Sequence, residues 1–332
     1  EQMSNRKSNI KEFHLFAGIG GGIYGGMLLH HKCVGGVEIN QYCQTVLKQR
    51  QSDGWMNEFP IYDDITTIDG KKFKEKFDVL CGGFPCQAFS HAARGNNKSE
   101  KNLWPYMFKF IKDSEASIVF AENVTREAIE TAMRDLQSIG YAVKHCKLSC
   151  EQLGADHLRV RYWLVATNDK EKLQKISSQL NKLPKLKAIC WQTDPNSIVY
   201  PTDIESRAPQ FLGVGNAQSP FAAATAFRLL INRHMENTID KIHITEEELD
   251  KVFIKTKTWI KENYGDNFLV HTPTTMYNFH YPSMQKHPVC RNFVEVFGRA
   301  YPLNFEYLMG FPIGASSPNH LSKNNIETWN LQ

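Results

Sequence analysis

Cys86 stands in the run Gly82-Gly83-Phe84-Pro85-Cys86-Gln87, directly after an apolar stretch, 77–83, that reads as a strand. In open α/β sheets the functional crevice lies at the carboxyl ends of the strands. A thiol there is placed to act as a nucleophile, and Pro85 stiffens the turn that carries it. A free thiol has a pKa of about 8.5, so such a site must activate it. A cysteine taken alone is more often a small buried apolar residue; the Pro-Cys-Gln turn at a strand end favours the nucleophile. Glu122 ends the apolar strand 117–123 and brings an acid to the same crevice, with a place in the N-cap region of helix 125–139 as its competing role. His157, Arg159 and Arg161 precede strand 162–167. Residues two apart in extended chain share a face, so these three project together. Two arginines on one face suit a phosphate, a carboxylate or a polar base edge. Taken alone they also suit an edge strand blunted by charge.

A glycine cluster supplies the pocket for a second reactant. Phe16-Ala17-Gly18-Ile19-Gly20-Gly21 follows strand 12–17 and opens helix 20–30. Glycines let a ligand approach the backbone, and a helix N-terminus favours an anionic group. Glu38 ends the second strand, 33–39, at the spacing of an acid that accepts from a ribose diol. Together these residues point to an adenosine-containing cofactor. Gly20, Gly22 and Gly25 also satisfy the dinucleotide pattern, so a nicotinamide enzyme, a methyltransferase and a chance glycine-rich turn all remain open on this cluster alone.

The elements that must position these residues alternate. After strands 12–17 and 33–39 come helix 41–50, strand 77–83, helix 104–112, strand 117–123, helix 125–139 and strands 141–149 and 162–167. This rhythm predicts a mostly parallel sheet covered by helices on both faces. From about Asn168 the rhythm stops: 169–187 is lysine-rich and polar, and 212–231 is apolar. Residues 245–264 carry one helix pattern, with a capping box at Thr245 and Glu248, an apolar face of Leu249, Val252, Phe253, Thr256 and Ile260, and a stop at Gly265. Residues 272–292 are rich in Pro, His and Tyr and read as irregular loop.

The 332 residues suit two domains, divided here into 12–232, with 168–212 as an insertion, and 233–332. Apolar residues make up 42%, charged residues 22%, and the formal net charge is +4, which permits a nucleic-acid partner without arguing for one. No apolar run reaches bilayer length. Residues 1–11 are polar and lack the apolar stretch of a secretory signal; opening on Glu1-Gln2, they are expected to be a processed end and are set aside. Eight scattered cysteines without a secretion signal suggest reduced thiols and a cytoplasmic setting. His280, His287 and Cys290 match no standard zinc spacing, so no metal is expected.

In their order along the chain these residues resemble the DNA (cytosine-5) methyltransferases. Phe16–Gly21 looks like that family's cofactor loop, Glu38-Ile39 like its ribose acid and adenine neighbour, and Asp64-Ile65 like its adenine-contacting acid. Pro85-Cys86-Gln87 looks like its nucleophile loop, Glu122-Asn123-Val124 like its catalytic acid motif, and Arg159-x-Arg161 like its paired arginines. Gly215-Asn216-Ala217-x-Ser219-Pro220 resembles its late cofactor motif, and Leu308–Pro312 the motif supporting its recognition domain. The resemblance is specific over 12–167, good over 213–229 and weaker over 301–314. The chain departs from the family at His157, where Gln is usual, at Ile39, where an aromatic is usual, and in placing the late cofactor motif before the Gly-Phe-Pro motif.

The resemblance implies an α/β, Rossmann-like S-adenosylmethionine-dependent methyltransferase sheet with a smaller, largely irregular C-terminal recognition domain. It implies methyl transfer from S-adenosylmethionine to carbon 5 of cytosine in double-stranded DNA, with the target base flipped out of the stack. Cys86, Glu122, Arg159 and Arg161 are the implied catalytic residues. Phe16, Ala17, Gly18, Ile19, Gly20, Gly21, Glu38, Ile39, Asp64, Ile65, Gly83, Pro85, Leu103, Asn216 and Ser219 are the implied cofactor contacts. Gln87, Ser90, Arg94, Asn123, His287 and Arg291 are the implied DNA contacts. The polar loop 90–101 is expected to close over DNA, and polar residues between Thr272 and Asn292 to read it. A monomer with a restriction endonuclease as functional partner, and no membrane, complete the expectation. Rival readings are a tRNA cytosine-5 methyltransferase, a nicotinamide oxidoreductase and an inactive DNA-binding decoy.

Overall fold

The computed structural model describes residues 10–85, 102–198, 207–270, 288–298 and 300–330. Seven strands form one sheet: β1 (Lys11–Leu15), β2 (Lys32–Val37), β3 (Ile61–Tyr62), β4 (Val79–Gly83), β5 (Ile118–Asn123), β6 (Ala142–Ser149) and β7 (Val160–Thr167), in the order β3-β2-β1-β4-β5-β7-β6. The first five are parallel; β7 runs antiparallel to both β5 and β6. The expected parallel sheet therefore holds for β1 to β5 and reverses at one edge. Residues 150–159 between β6 and β7 are too few for a parallel crossover, so the chain must return antiparallel. The two-residue β3 carries too little pattern to be read from sequence.

Period-2 alternation builds a core on each face of the sheet. Phe13, Leu15, Leu80, Val119, Ala121, Leu164 and Ala166 face one core; Val79, Cys81, Ile118, Phe120, Trp163 and Val165 face the other. Helices α1 (Gly21–Leu28), α2 (Gln41–Ser52), α3 (Trp104–Ser114) and α4 (Arg126–Ser138) follow their strands as the rhythm predicts. Their N-caps explain three of the boundaries: Asn40 accepts from Cys43 N, Thr125 from Ala128 N, and Leu103 precedes a Pro at the second helical position.

Beyond the sheet the structure corrects the sequence reading at several places. The polar stretch after Asn168 contains α5 (Lys170–Leu180), capped by Asp169, with Leu173, Ile176 and Leu180 buried at helical spacing. The apolar run 212–231 is two helices, α6 (Arg207–Asn216) and α7 (Pro220–Met235), broken where Pro220 starts the second. α7 is buried almost all round because it packs on α1, α5, β6 and β7 at once. The single helix expected over 245–264 is also two, α8 (Glu246–Val252) and α9 (Trp259–Tyr264). The capping box at Thr245 and Glu248 is present. Phe253, however, is extended and buried, bridged to Leu186 through Leu186 N to Val252 O and Ile254 N to Leu186 O. The alternating branched residues Val252, Ile254, Thr256 and Thr258 favour that extended course over a continuous helix. α10 (Pro288–Phe297) replaces the end of the expected loop, burying Cys290, Phe293 and Val296; residues 271–287 lie outside the described residues. α11 (Pro302–Met309) and α12 (Asn324–Asn330) complete the chain, and buried side chains of both join the core around α1 and α7. Among the described residues no helix is long and apolar enough to cross a membrane, and the described cysteines are unpaired.

Candidate active site

A cleft opens at the carboxyl ends of β1, β4 and β5. It is lined by Phe16, Ala17, Gly18, Gly21 and Gly22 after β1, Gly82 and Gly83 on β4, Glu122 on β5, and Asn216, Ala217 and Gln218 between α6 and α7; His14 and Leu15 lie at its floor. It holds about 380 Å³ of empty space, part of it open to solvent. Phe16, with φ 56, turns the chain out of β1, and α1 starts without a side-chain cap. Its first N–H groups are therefore left for a ligand. Gly21 has no alternative here: a Cβ would sit 2.2 Å from the main-chain oxygen of Gln218. A Cβ at Gly83 would meet Glu122 Oε2 at 2.8 Å and Gln218 Nε2 at 2.9 Å, so a side chain there would displace the acid and the amide that holds it.

Gly83 and Glu122 are register partners on β4 and β5. Glu122 is buried and held by two neighbours. Arg161 Nε lies 3.2 Å from Oε1, a charge pair whose angle misses hydrogen-bond alignment, and Gln218 Nε2 donates to Oε2 at 3.3 Å. Arg161 also donates to the Val160 carbonyl at 2.7 Å. Arg159 does something different. It is 4% exposed and donates to the carbonyls of Gly215 and Ala217 at 2.8 and 2.7 Å, which ties the α6–α7 turn to the sheet. Burial, then the Arg161 charge, push its pKa down to about 9. His157 is fully buried with neither ring nitrogen hydrogen-bonded; burial, helped by Arg159, Lys261 and Arg161, pushes it down to about 3, so it is neutral. The three residues expected to project together thus divide into one at the acid, one behind the turn and one in the core.

Asn123, expected at DNA, is buried: its amide donates to Phe84 O at 2.8 Å and its oxygen accepts from Thr125 N. That bond, with Phe84 packed on Trp104 at 5.0 Å, anchors the turn leading to Cys86. Leu103 N donates to Pro85 O at 3.3 Å, joining the two chain ends that flank 86–101. Cys86, Gln87, Ser90 and Arg94, the closing loop 90–101, and the DNA-reading positions Thr272–His287 lie outside the described residues. Arg291 is exposed on α10.

The expected adenosine side of the pocket continues from Gly18. Glu38 is buried, accepting from Gly18 N at 2.6 Å and Asn40 N at 2.8 Å; burial raises its pKa against those two bonds. Each carboxylate oxygen keeps a second lone pair for a diol. Ile39 is 68% exposed beside it, an apolar surface of the kind an adenine ring covers. Asp64 is half-buried and accepts from Thr66 N. The side chains of Ile19 and Ile65 enter the two cores, leaving only their main chain for a ligand, and a side chain at Gly20 would meet Met56. Ser219 is buried with its hydroxyl toward the Cys150 thiol. The glycine cradle, the orphan helix N–H groups, the diol-ready acid and the exposed apolar neighbour fit S-adenosylmethionine. Sequence reading missed His14 and Gln218. His14 had a signal, a histidine two residues from Glu12 in an apolar strand; Gln218 had none.

Comparison with known proteins agrees with this arrangement. The family model described as C-5 cytosine-specific DNA methylase matches residues 10–288. The chain is 29% identical over 164 residues to the type II methyltransferase M.CviJI of Paramecium bursaria Chlorella virus IL3A, covering 48% of this chain and 43% of that protein. It is 26% identical over 178 residues to M.MspI of Moraxella sp, covering 50% and 40%. Against M.HpaII of Haemophilus parainfluenzae it is 30% identical over 179 residues, covering 50% and 48%. The matches span less than half the length of these relatives. With the family model covering most of the chain, and the glycine cradle and Glu122 at one cleft, the chain belongs to the C-5 cytosine-specific DNA methylase family.

Proposed function

We propose that the chain transfers a methyl group from S-adenosylmethionine to carbon 5 of cytosine in double-stranded DNA, through a covalent bond between Cys86 and the base. The observation that carries the reading is Glu122, paired with Arg161 in a glycine-lined cleft and set beside Gly83, which stands three residues before Cys86 in the chain. S-adenosylmethionine, when bound, supplies the electrophilic methyl group. The residues of the chain do the rest. The Cys86 thiolate adds to carbon 6, which places electron density on carbon 5. Glu122 reaches ring nitrogen 3 and the exocyclic amine, offering a proton to the first and accepting from the second. Arg161 orients that carboxyl and balances its charge. After carbon 5 has gained the methyl group, its proton leaves to solvent, the bond to Cys86 breaks to return the thiolate, and ring nitrogen 3 gives its proton back to Glu122. Arg159 positions the turn that carries Gln218 and does not touch the base. The target must leave the stack for this to happen, at a cost of a few kcal/mol.

Bisulfite sequencing of DNA from cells expressing the protein tests the reading and reports the sequence context. Protected cytosines with the native chain and none with Cys86→Ala are expected. Methyl incorporation into tRNA but not duplex DNA would overturn the choice of substrate, and full incorporation by Cys86→Ser would overturn the covalent step.

A further inference from the structure

Beneath the glycine turn lies a side-chain cluster that the proposed chemistry does not use. β1 places Glu12 and His14 on one face. His14 Nε2 lies 2.9 Å from Glu12 Oε2, and His31 Nδ1, from the turn after α1, lies 2.6 Å from Glu12 Oε1. All three are buried. Cys81, the register partner of His14 on β4, joins Glu12 and His14 in a group with ligand atoms within 4.8 Å of one another. The bonding disfavours a metal cage. Each Glu12 oxygen already faces an imidazole, and burial raises the Cys81 thiol well above its ordinary range, so it offers no thiolate. The cluster is instead one anion held by two rings: burial pushes Glu12 up, but His31 and His14 outweigh it and hold it at about 2.

A carboxylate only accepts, so the ring nitrogen that faces it carries the hydrogen. His14 therefore gives Nε2–H to Glu12 and is left with Nδ1. That edge faces the first turn of α1, where a Cβ on Gly22 would lie 3.2 Å away, and His14 lines the cleft with Phe16, Gly83, Glu122 and Asn216. We infer that His14 determines specificity in the cofactor pocket: its ring, oriented by Glu12, presents the Nδ1 lone pair to the α-ammonium group of the cofactor's amino-acid end. The inference rests on the S-adenosylmethionine reading above. A lone pair attracts an ammonium and repels a carboxylate. Glu122 in the same cleft adds negative charge, and the α-carboxylate is better served by the N–H groups that open α1. Around His14 and its partner Glu12 lie His31, which faces the other Glu12 oxygen, Cys33, the register partner of Glu12 on β2, and Cys81, the register partner of His14 on β4; Glu122 lines the same cleft with Arg161 beside it. Burial keeps both cysteines neutral.

Titration calorimetry on the full chain without DNA tests this with S-adenosylhomocysteine, its analogue lacking the amino group, and methylthioadenosine, which lacks the amino-acid end. The native chain should prefer S-adenosylhomocysteine to the deaminated analogue. His14→Ala should weaken S-adenosylhomocysteine roughly tenfold to a hundredfold and leave methylthioadenosine unchanged. His14→Asn, which keeps a carbonyl acceptor, should recover part of the loss. Equal affinity of the native chain for S-adenosylhomocysteine and the deaminated analogue overturns the inference alone. If the native chain binds none of the three, the cofactor reading falls and takes the inference with it.

Discussion

Residues 10–167 supply all seven strands of the sheet, while the described residues after 207 supply helices, yet the two regions meet at one cleft. They reach it by different means. The sheet offers side chains at strand ends: Glu122 ends β5, and the turn toward Cys86 leaves β4. The helical region offers main-chain carbonyls at Gly215 and Ala217, gripped by Arg159, and one amide, Gln218. A strand end presents a side chain to a crevice because the pleat and the sheet fix its direction. A turn between helices has no such constraint and must be held from outside. On the proposed reading, then, the sheet region carries the chemistry and the helical region the position of its parts.

The largest expected effect lies in the sheet region. Glu122→Gln keeps the shape of the side chain and removes its charge and proton. It should lower methyl transfer to DNA by about two to four orders of magnitude while leaving unfolding by denaturant within about 1 kcal/mol. A rate close to that of the native chain would show that the acid positions rather than reacts, and the contrast between the regions would break. Arg159→Ala tests the other side. It removes two charge-assisted hydrogen bonds and leaves two buried carbonyls without a partner, so about 3 kcal/mol of stability should be lost in denaturant titration. Activity should fall through cofactor KM, because the displaced turn carries Asn216 and Gln218.

The same contrast decides what was legible in the sequence. Apart from the two-residue β3, the strands and helices up to Thr167 follow from apolar runs, caps and glycine stops, and the same pattern puts Phe16, Gly18, Gly21, Gly83 and Glu122 at or just after strand ends. Arg159 and Arg161 could be paired by spacing, but not separated, since only the approach of the α6–α7 turn makes one a clamp and leaves the other at the acid. At Phe253 two local patterns compete, the apolar helix face and the alternating branched residues 252–258, and the bridge to Leu186, sixty-seven residues away, goes with the extended one. Gln218 acts through contacts with three different elements and had no motif to mark it.

Between these extremes stands Asp156, which lies before the sheet's last strand but is bonded from the helical region. Thr258, the N-cap of α9, donates Oγ1–H to Asp156 Oδ1 at 2.6 Å. Burial raises this carboxyl to about 6, and the Thr258 bond and Lys261 only partly oppose it. Because the folded state holds the proton to higher pH than the unfolded chain does, this group's contribution falls as pH rises from about 4 to about 6 and is flat above. Asp156→Asn keeps an acceptor for Thr258 without the charge. It should add about 1–2 kcal/mol of stability at pH 7.5 and little at pH 4, measured by denaturant unfolding at both. Equal effects at the two values would mean that the acid is solvated where the two regions join.

The smallest effect should come from Gln218, and it is the sharpest test of position against chemistry. Its side chain touches the start of α1, where a Cβ on Gly22 would lie 2.6 Å from Oε1, and the end of β4, where a Cβ on Gly83 would lie 2.9 Å from Nε2. The same Nε2 donates to Glu122 at 3.3 Å. That bond is long, and Arg161 still faces the other carboxylate oxygen at 3.2 Å after its removal. Gln218→Ala should therefore lower the rate of methyl transfer only about fivefold to tenfold, equivalent to about 1 kcal/mol, with little change in stability because the residue is half-buried. Gln218→Glu sets a second carboxylate against Glu122 and should cost more than the truncation. If Ala and Glu behave alike, Gln218 only fills space at the meeting of the two regions; if Glu is worse, its amide is part of what holds the acid.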